Sequence, residues 1–291
     1  MKWLVTGLSG TLAPVLARQA AALGVEVLGW DRRQVPPDDS GAARAWLQAQ
    51  RPDAIAHLAM GLPPWAALLA RHAAEAPVAG GLPFVFTSTA MVFHHQPDGP
   101  HAPGDARNAQ DDYGRSKIAC EDAVLAAHPG ASIVRIGWQI DPARPGNNML
   151  MALDRQQAEH GHVTASRAWT PACSFMDDTA AALVQLLRQP RRGVLHFDSN
   201  ATEAHSFAAI VRALQRDFGR QGPGGWHVRE DDGYAHDQRL VDGPLDEPPD
   251  DRLVGPHDAP RGPPPAAALR APPLSLRLPS LRGGARPPEV P

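Results

Sequence analysis

Few folds accept the order of residues with which this chain begins. Lys2-Trp3-Leu4-Val5-Thr6 reads as a short strand, and Gly7-Leu8-Ser9-Gly10-Thr11-Leu12-Ala13 follows it directly. An alanine-rich helix comes next, Pro14 to Leu23, with proline in its first turn and Gly24 as its stop. Glycines at 7 and 10 permit a tight turn and let backbone N–H groups approach a pyrophosphate at the helix N-terminus. Ala13 takes a third small position, which lets helix and strand pack closely. A second strand, Val25 to Trp30, ends at Asp31, about 20 residues beyond the turn, where a carboxylate would hold a dinucleotide's ribose 2′-OH. A glycine turn alone is a weak signal; strand, turn, helix, strand and acidic end in this order make a strong one.

The second constraint is chemical. The chain has two lysines, Lys2 and Lys117, and two tyrosines, Tyr113 and Tyr234. One of each falls within Tyr113-Gly114-Arg115-Ser116-Lys117, at helical i, i+4 spacing, so both side chains share a face. Lysine gives way to arginine almost everywhere else, and a retained lysine supplies a compact point charge that arginine's planar fork cannot. Beside a phenol, its field would pull the Tyr113 pKa below the reference of about 10. The bland reading is two exposed polar residues on a helix.

The rest of the first half alternates. Helix Arg44 to Gln50 precedes strand Ala54-Ile55-Ala56-His57-Leu58-Ala59, and a helix near Trp65 to Glu75 leads to strand Pro83 to Thr87. Ser88-Thr89 close that strand, the Tyr113 helix runs to about Ala127, and Ser132 to Ile136 is the next strand. This pattern predicts an α/β fold with a doubly wound parallel sheet and a smaller C-terminal substrate domain. Ligands bind outside the strand C-termini of such sheets, where the turn at 7–13, Asp31, His57 and Thr89 would all lie.

Composition narrows the partners. A net charge of -3 and a pI near 6.5 give no electrostatic reason to expect nucleic acid or an anionic membrane. Cys120 and Cys173 cannot build a disulfide framework and lie in no CxxC pair. The first strand begins almost at residue one, which leaves no room for a leader, and no run of about 18 apolar residues exists. The expectation is a cytoplasmic enzyme with a small-molecule substrate. His94, His95 and His101 sit in a Pro/Gly-rich loop without Cys or carboxylates at ligand spacing, so they are expected to be solvated and no metal is expected.

With these motifs assembled, the sequence resembles the extended short-chain dehydrogenase/reductases, a Rossmann-type superfamily, and most of all their dTDP-4-dehydrorhamnose reductase group. The resemblance rests on Thr6-Gly7-Leu8-Ser9-Gly10 with Ala13, Arg51-Pro52-Asp53 leading to His57-Leu58-Ala59, Ser88-Thr89 with Val92-Phe93, the Tyr113–Lys117 motif, and Arg135-Ile136-Gly137-Trp138. It covers roughly residues 1 to 240. It implies a catalytic trio in which Tyr113 exchanges a proton with the carbonyl oxygen, Lys117 holds the nicotinamide ribose and lowers the Tyr113 pKa, and Thr89 bonds the reacting oxygen. The implied cofactor contacts are Gly7, Ser9, Gly10, Thr11, Leu12, Asp31, Arg32, His57, Leu58, Ala59, Tyr113 and Lys117. Asp31 favours NAD; Arg32 and Arg33 could instead clamp the 2′-phosphate of NADP, and the balance tips slightly to NAD. The implied activity is an NAD(P)-dependent oxidoreductase acting on a nucleotide-sugar or similar substrate, possible as a homodimer. Epimerisation and a non-catalytic NAD(P)-binding regulatory role stay open as alternatives. Two departures stand out. The connection from Ala59 to Phe84 is shorter than this family usually has, which puts part of the cofactor wall in doubt. Ala90 stands where the reductase group usually has an aspartate, and a dehydratase would carry a glutamate beside Thr89.

Residues 1–140 are thus expected to form the dinucleotide-binding domain and 141–243 a substrate-binding region from which the chain could return to the sheet. Within the latter, helices are expected from Asn147 to Glu159, from an Asp177 or Asp178 cap to Leu187, and from Ser206 to Phe218, with a strand at Val194 to Phe197. Asn147 and Trp169 could touch a nucleotide-sugar, though a structural role is the commoner fate of such residues. From Pro244 the composition breaks: 244–291 holds 14 of the 31 prolines, and no aromatic residue follows Tyr234. This tail is expected to be disordered.

Overall fold

The computed structural model describes residues 1–222, 224–242 and 270–282. β1 (Lys2–Thr6), β2 (Glu26–Gly29), β3 (Ala54–His57), β4 (Phe84–Thr89) and β5 (Ser132–Ile136) alternate with α1 (Leu12–Ala22), α2 (Ser40–Gln50), α3 (Pro63–Ala74) and α4 (Asp112–Ala127). The chain then builds β6 (Trp138–Ile140), α5 (Met149–His160), β7 (Val163–Ser166), β8 (Trp169–Thr170) and β9 (Cys173–Phe175). It next returns through α6 (Met176–Arg188) to β10 (Gly193–Phe197), before α7 (Phe207–Asp217), β11 (Val228–Asp231), β12 (His236–Asp237) and α8 (Leu274–Arg277).

The central sheet has six parallel strands in the order β10-β5-β4-β3-β1-β2. Side-chain alternation along β1 explains its two layers. Trp3 and Val5 pack with Leu16, Leu183 and Leu187 of α1 and α6, while Leu4 joins Leu47, Leu69 and Val124 of α2, α3 and α4 on the other face. β1 runs buried on both faces, as parallel strands with helices on either side must.

The smaller region carries three two-stranded parallel pairs, β6 with β9, β7 with β11 and β8 with β12. Its core joins Ile140, Leu153, Phe175, Ile210 and Leu214. α5 begins at Met149, later than expected, because Asn148 serves as its cap and its side chain accepts the Met151 N–H at 3.1 Å. The expected aspartate cap of α6 is corrected: Phe175 holds that position with no side-chain bond, and Asp177 and Asp178 lie inside the first turn. Asp177 there meets Arg18 of α1 at 3.0 Å and Arg144 of the loop before α5 at 3.1 Å.

The tail expectation needs a partial correction too. Residues 270–282 form α8 and a short 3-10 turn, Pro279–Leu281, and Leu274 and Leu278 are fully buried in the smaller region's core. Arg277 pairs with Asp178 at 2.6 Å, and the Ser280 N–H donates to Asp217 at 3.2 Å. Two leucines at i, i+4 suffice to dock on α7, a signal too short to register in a proline-rich text. The remainder of the expected tail lies outside the described residues. Among the described residues no helix is long and apolar enough to cross a membrane.

Candidate active site

The C-terminal ends of β1 to β5 open into one cleft of about 1570 Å³ that runs from Asp31 past the glycine turn to Thr89, Tyr113 and Lys117. At its centre Gly7 adopts φ +84°, and a Cβ there would stand 2.9 Å from the Ala59 nitrogen. No other residue type fits both the dihedral and the approach. The Gly10 N–H closes the turn on the Gly7 carbonyl at 2.8 Å. Thr11 is the N-cap of α1 but makes no side-chain cap bond, so the first N–H groups of the helix face the cleft uncapped. Ser9 and Leu12 line the same wall. This cradle suits a pyrophosphate.

Thr6, just before the turn, was not singled out from sequence, yet it shapes the neighbouring wall. Its hydroxyl oxygen accepts the N–H groups of Leu58 and Ala59, each at 3.1 Å, and lies 2.8 Å from His57 Nδ1. With both lone pairs so used, its own hydrogen goes to Nδ1, and the imidazole carries its proton on Nε2. His57 was expected to face the cofactor; the structure corrects this. Its ring is fully buried behind Leu58 and Ala59, edge-to-face with Trp65 at 4.7 Å between centroids, and does not line the cleft. Burial, with the Lys117 and Arg32 charges adding to it, holds its pKa down to about 3. The strand pattern located His57 at a strand end but not on which side of the last peptide its ring would fall.

His196 on β10 is held down in the same way, to about 4, by burial and by Arg135. Both imidazoles stay neutral in the native state while their unfolded counterparts protonate below about pH 6.5. Stability is therefore present above that value and lost as pH falls towards 4, at about 1.4 kcal/mol per pH unit for each histidine. Urea unfolding at pH 7 and pH 5 should show a clearly lower midpoint at pH 5; equal midpoints would refute this.

At the outer end, Asp31 Oδ1 accepts the Arg33 N–H at 2.9 Å. Arg32 turns away from that position: its guanidinium lies 4.9 Å over the Trp65 ring and donates to the Met60 carbonyl. Trp65, at the start of α3, thereby closes the wall that the short connection after Ala59 had put in doubt, together with Leu58 and Met60.

At the inner end β4 delivers Thr89 and α4 delivers Tyr113 and Lys117. Asp111 caps α4, accepting the Gly114 N–H at 2.8 Å. A Cβ on Gly114 would lie 2.3 Å from the Met91 carbonyl oxygen, so this glycine is what lets the helix sit against the turn after Thr89. Thr89 Oγ1 accepts the Met91 N–H at 3.2 Å, and both Thr89 and Tyr113 line the inner end of the cleft. Lys117 is 8% exposed and donates to the Thr87 carbonyl at 2.9 Å, 4.8 Å over the Phe86 ring and 6.0 Å from the Tyr113 ring centre. The expected depression of the Tyr113 pKa by Lys117 is not found. Burial raises the phenol, with the Thr89 side chain opposing, and burial also lowers the Lys117 ammonium. The lysine points at the strand carbonyl rather than at the phenolic oxygen.

The far wall comes from the smaller region. Trp138, Gln139, Asn147, Trp169 and Gln238 line it, and Trp138 and Trp169 stack at 6.2 Å. Gly146 sits so close to the turn that a Cβ would be 2.3 Å from Thr11 Cγ2. The loop histidines differ from expectation. His94 is half-buried and His95 exposed, but His101 is buried and stacked on Phe93 at 4.2 Å. Among the described residues no cluster has the makings of a metal site.

A model of the RmlD substrate binding domain matches residues 66–221. The dTDP-4-dehydrorhamnose reductase of Mycobacterium tuberculosis is 30% identical over 214 residues, spanning 66% of this chain and 68% of that protein. Among solved structures, a dTDP-4-dehydrorhamnose reductase from Bacillus anthracis in complex with NADP superposes with a TM-score of 0.66 at 17% identity, covering 82% of this chain and 90% of the other. WbmH of Bordetella bronchiseptica in complex with NAD+ gives a TM-score of 0.68 at 20% identity, covering 82% and 88%. A domain match over more than half of the chain, joined to a relative at this identity and coverage, places the protein in a family: it belongs to the RmlD substrate-binding-domain family of extended short-chain dehydrogenase/reductases.

Proposed function

We propose that the protein is an NAD(P)-dependent reductase that converts a carbonyl of a nucleotide-sugar, or of a closely related sugar, to a hydroxyl. The observation that carries this reading is the meeting of Thr89, Tyr113 and Lys117 at one end of the cleft whose other end holds the glycine cradle and Asp31. The names of the sequence relatives, dTDP-sugar reductases, support the substrate class.

The dinucleotide, when bound, supplies the hydride. Gly7, Ser9, Gly10, Thr11 and Leu12 would seat its pyrophosphate against the uncapped start of α1. Lys117 spends one N–H on Thr87, and the other two can reach ribose hydroxyls. Tyr113 holds its proton firmly at neutral pH, since burial raises it, and gives that proton to the carbonyl oxygen as charge develops there. Thr89, whose oxygen accepts the Met91 N–H, can offer its one hydroxyl hydrogen to the same carbonyl oxygen. Phosphate discrimination falls to Arg33, whose neighbour Arg32 is engaged with Trp65 and Met60. Asp31 keeps one carboxylate oxygen for ribose hydroxyls, which favours NAD.

Titration with NADH and NADPH, followed by nicotinamide fluorescence, tests the site. Micromolar binding is expected, weakened at least tenfold in Lys117→Ala, a loss of about 1.4 kcal/mol. Arg33→Ala should weaken NADPH alone. Failure of the wild type to bind either cofactor would end the enzyme reading.

A further inference from the structure

We propose that Glu121 is the positioning residue of α4: gripped by Arg135 and Arg107, it fixes the depth at which the helix presents Tyr113 and Lys117 to the cleft. The inference rests on the reading of that pair as the reacting groups.

Glu121 stands four residues beyond Lys117 and eight beyond Tyr113, so the three side chains share one face of α4. It is fully buried. Arg135 of β5, itself buried, holds it with a two-pronged fork: Nε–H to Oε1 at 3.0 Å and Nη2–H to Oε2 at 2.8 Å. Arg107, from the segment that joins Thr89 to α4, donates to Oε2 at 3.1 Å and to Asp122 at 2.8 Å. Arg135 further donates to the Pro103 carbonyl at 3.1 Å and lies 5.0 Å over Phe93. One carboxylate therefore ties α4 to the strand beside β4 and to the loop that follows Thr89.

An apolar contact in the same place would glue these elements without fixing their offset, whereas a bidentate fork sets distance and angle together. A buried ion pair is a weak source of net stability, so its use here speaks for geometry. The Glu121 charge also bears on Lys117, favouring the ammonium against burial, which pulls the other way. The other groups facing Lys117 are Tyr113 and Cys120 on α4 and His57 on β3. Those facing Glu121 are Arg107, Arg135 and Ser88, with His196 beyond Arg135 at 3.4 Å.

The chain's two lysines make a direct test practicable. Protein labelled with ¹³C,¹⁵N-lysine gives two side-chain signals, and the Lys117→Ala variant assigns them. In Glu121→Gln the Lys117 titration midpoint should move to lower pH, because the carboxylate that favours the ammonium is gone. Binding of NADPH and NADH should weaken at least tenfold in the same variant. Glu121→Asp keeps the charge and should hold the midpoint near wild type. If Glu121→Gln does not fold, the double variant Glu121→Gln/Arg135→Met, which removes both buried charges, should show the same direction of shift. A folded variant in which neither the midpoint nor cofactor binding moves overturns the proposal. Neither readout needs turnover. A wild type that reduces nothing would sink the proposed function alone, and a folded Glu121→Gln variant with both the Lys117 midpoint and cofactor binding unmoved, in an enzyme whose wild type is active, would sink this inference alone.

Discussion

Replacing Tyr113 by phenylalanine should lower the turnover number by about 10² to 10⁴, the usual worth of a positioned proton donor. Cofactor affinity should change by only a few-fold. The phenol sits at the mouth of the cleft, 37% exposed, and its ring would remain in place without its oxygen. The two effects are separable: single-turnover oxidation of NADH or NADPH reports the chemistry, and fluorescence titration reports binding. A variant that keeps full turnover would remove Tyr113 from the mechanism. The pH profile of the wild type gives an independent check with a definite sign. Burial raises the Tyr113 pKa. Reduction needs the protonated phenol, so activity should hold through neutral pH and fall only on the alkaline side.

The second large effect concerns stability. Leu274→Ala and Leu278→Ala together empty two fully buried sites between α8 and α7. Each such truncation costs about 2 to 5 kcal/mol. The sum rivals the whole stability of an ordinary domain, about 5 to 15 kcal/mol. The double variant should therefore unfold at a much lower urea concentration and lose several degrees in Tm, while Leu276→Ala, an exposed position, should do neither. A double variant as stable as wild type would mean that residues 270–282 do not dock in solution.

What the chain revealed in advance was local. The turn at 7–13 and the four-residue spacing of Tyr113 and Lys117 are short-range patterns, and both line the cleft. What it concealed was long-range or orientational. Thr6 reads as the last residue of a strand; only the folded sheet shows its hydroxyl pinning Leu58 and Ala59, some fifty positions away. Glu121 and Arg135 look like surface charges until β5 and α4 are brought together. His57 lies at its strand end as expected, but its ring is buried behind the cleft wall rather than lining it, since period-2 alternation ends where a strand ends. The direction of the Tyr113 shift was misjudged because spacing gives proximity but not desolvation. Residues 270–282 were missed for want of enough apolar residues to make a periodicity.

The path of β10 has a consequence for how the molecule is made. β5 ends at Ile136, but the strand that covers its outer edge is not synthesised until Gly193–Phe197, after α5, β7, β9 and α6. On the ribosome, every residue of the glycine turn and of the Tyr113–Lys117 helix exists well before that edge is capped. For this interval Ser132-Ile133-Val134-Arg135-Ile136 presents a row of unpaired N–H and C=O groups, the kind of edge on which another chain can build. The charge of Arg135, later swallowed by Glu121, falls among the apolar Ile133, Val134 and Ile136 of this strand and would act as its gatekeeper against aggregation during synthesis.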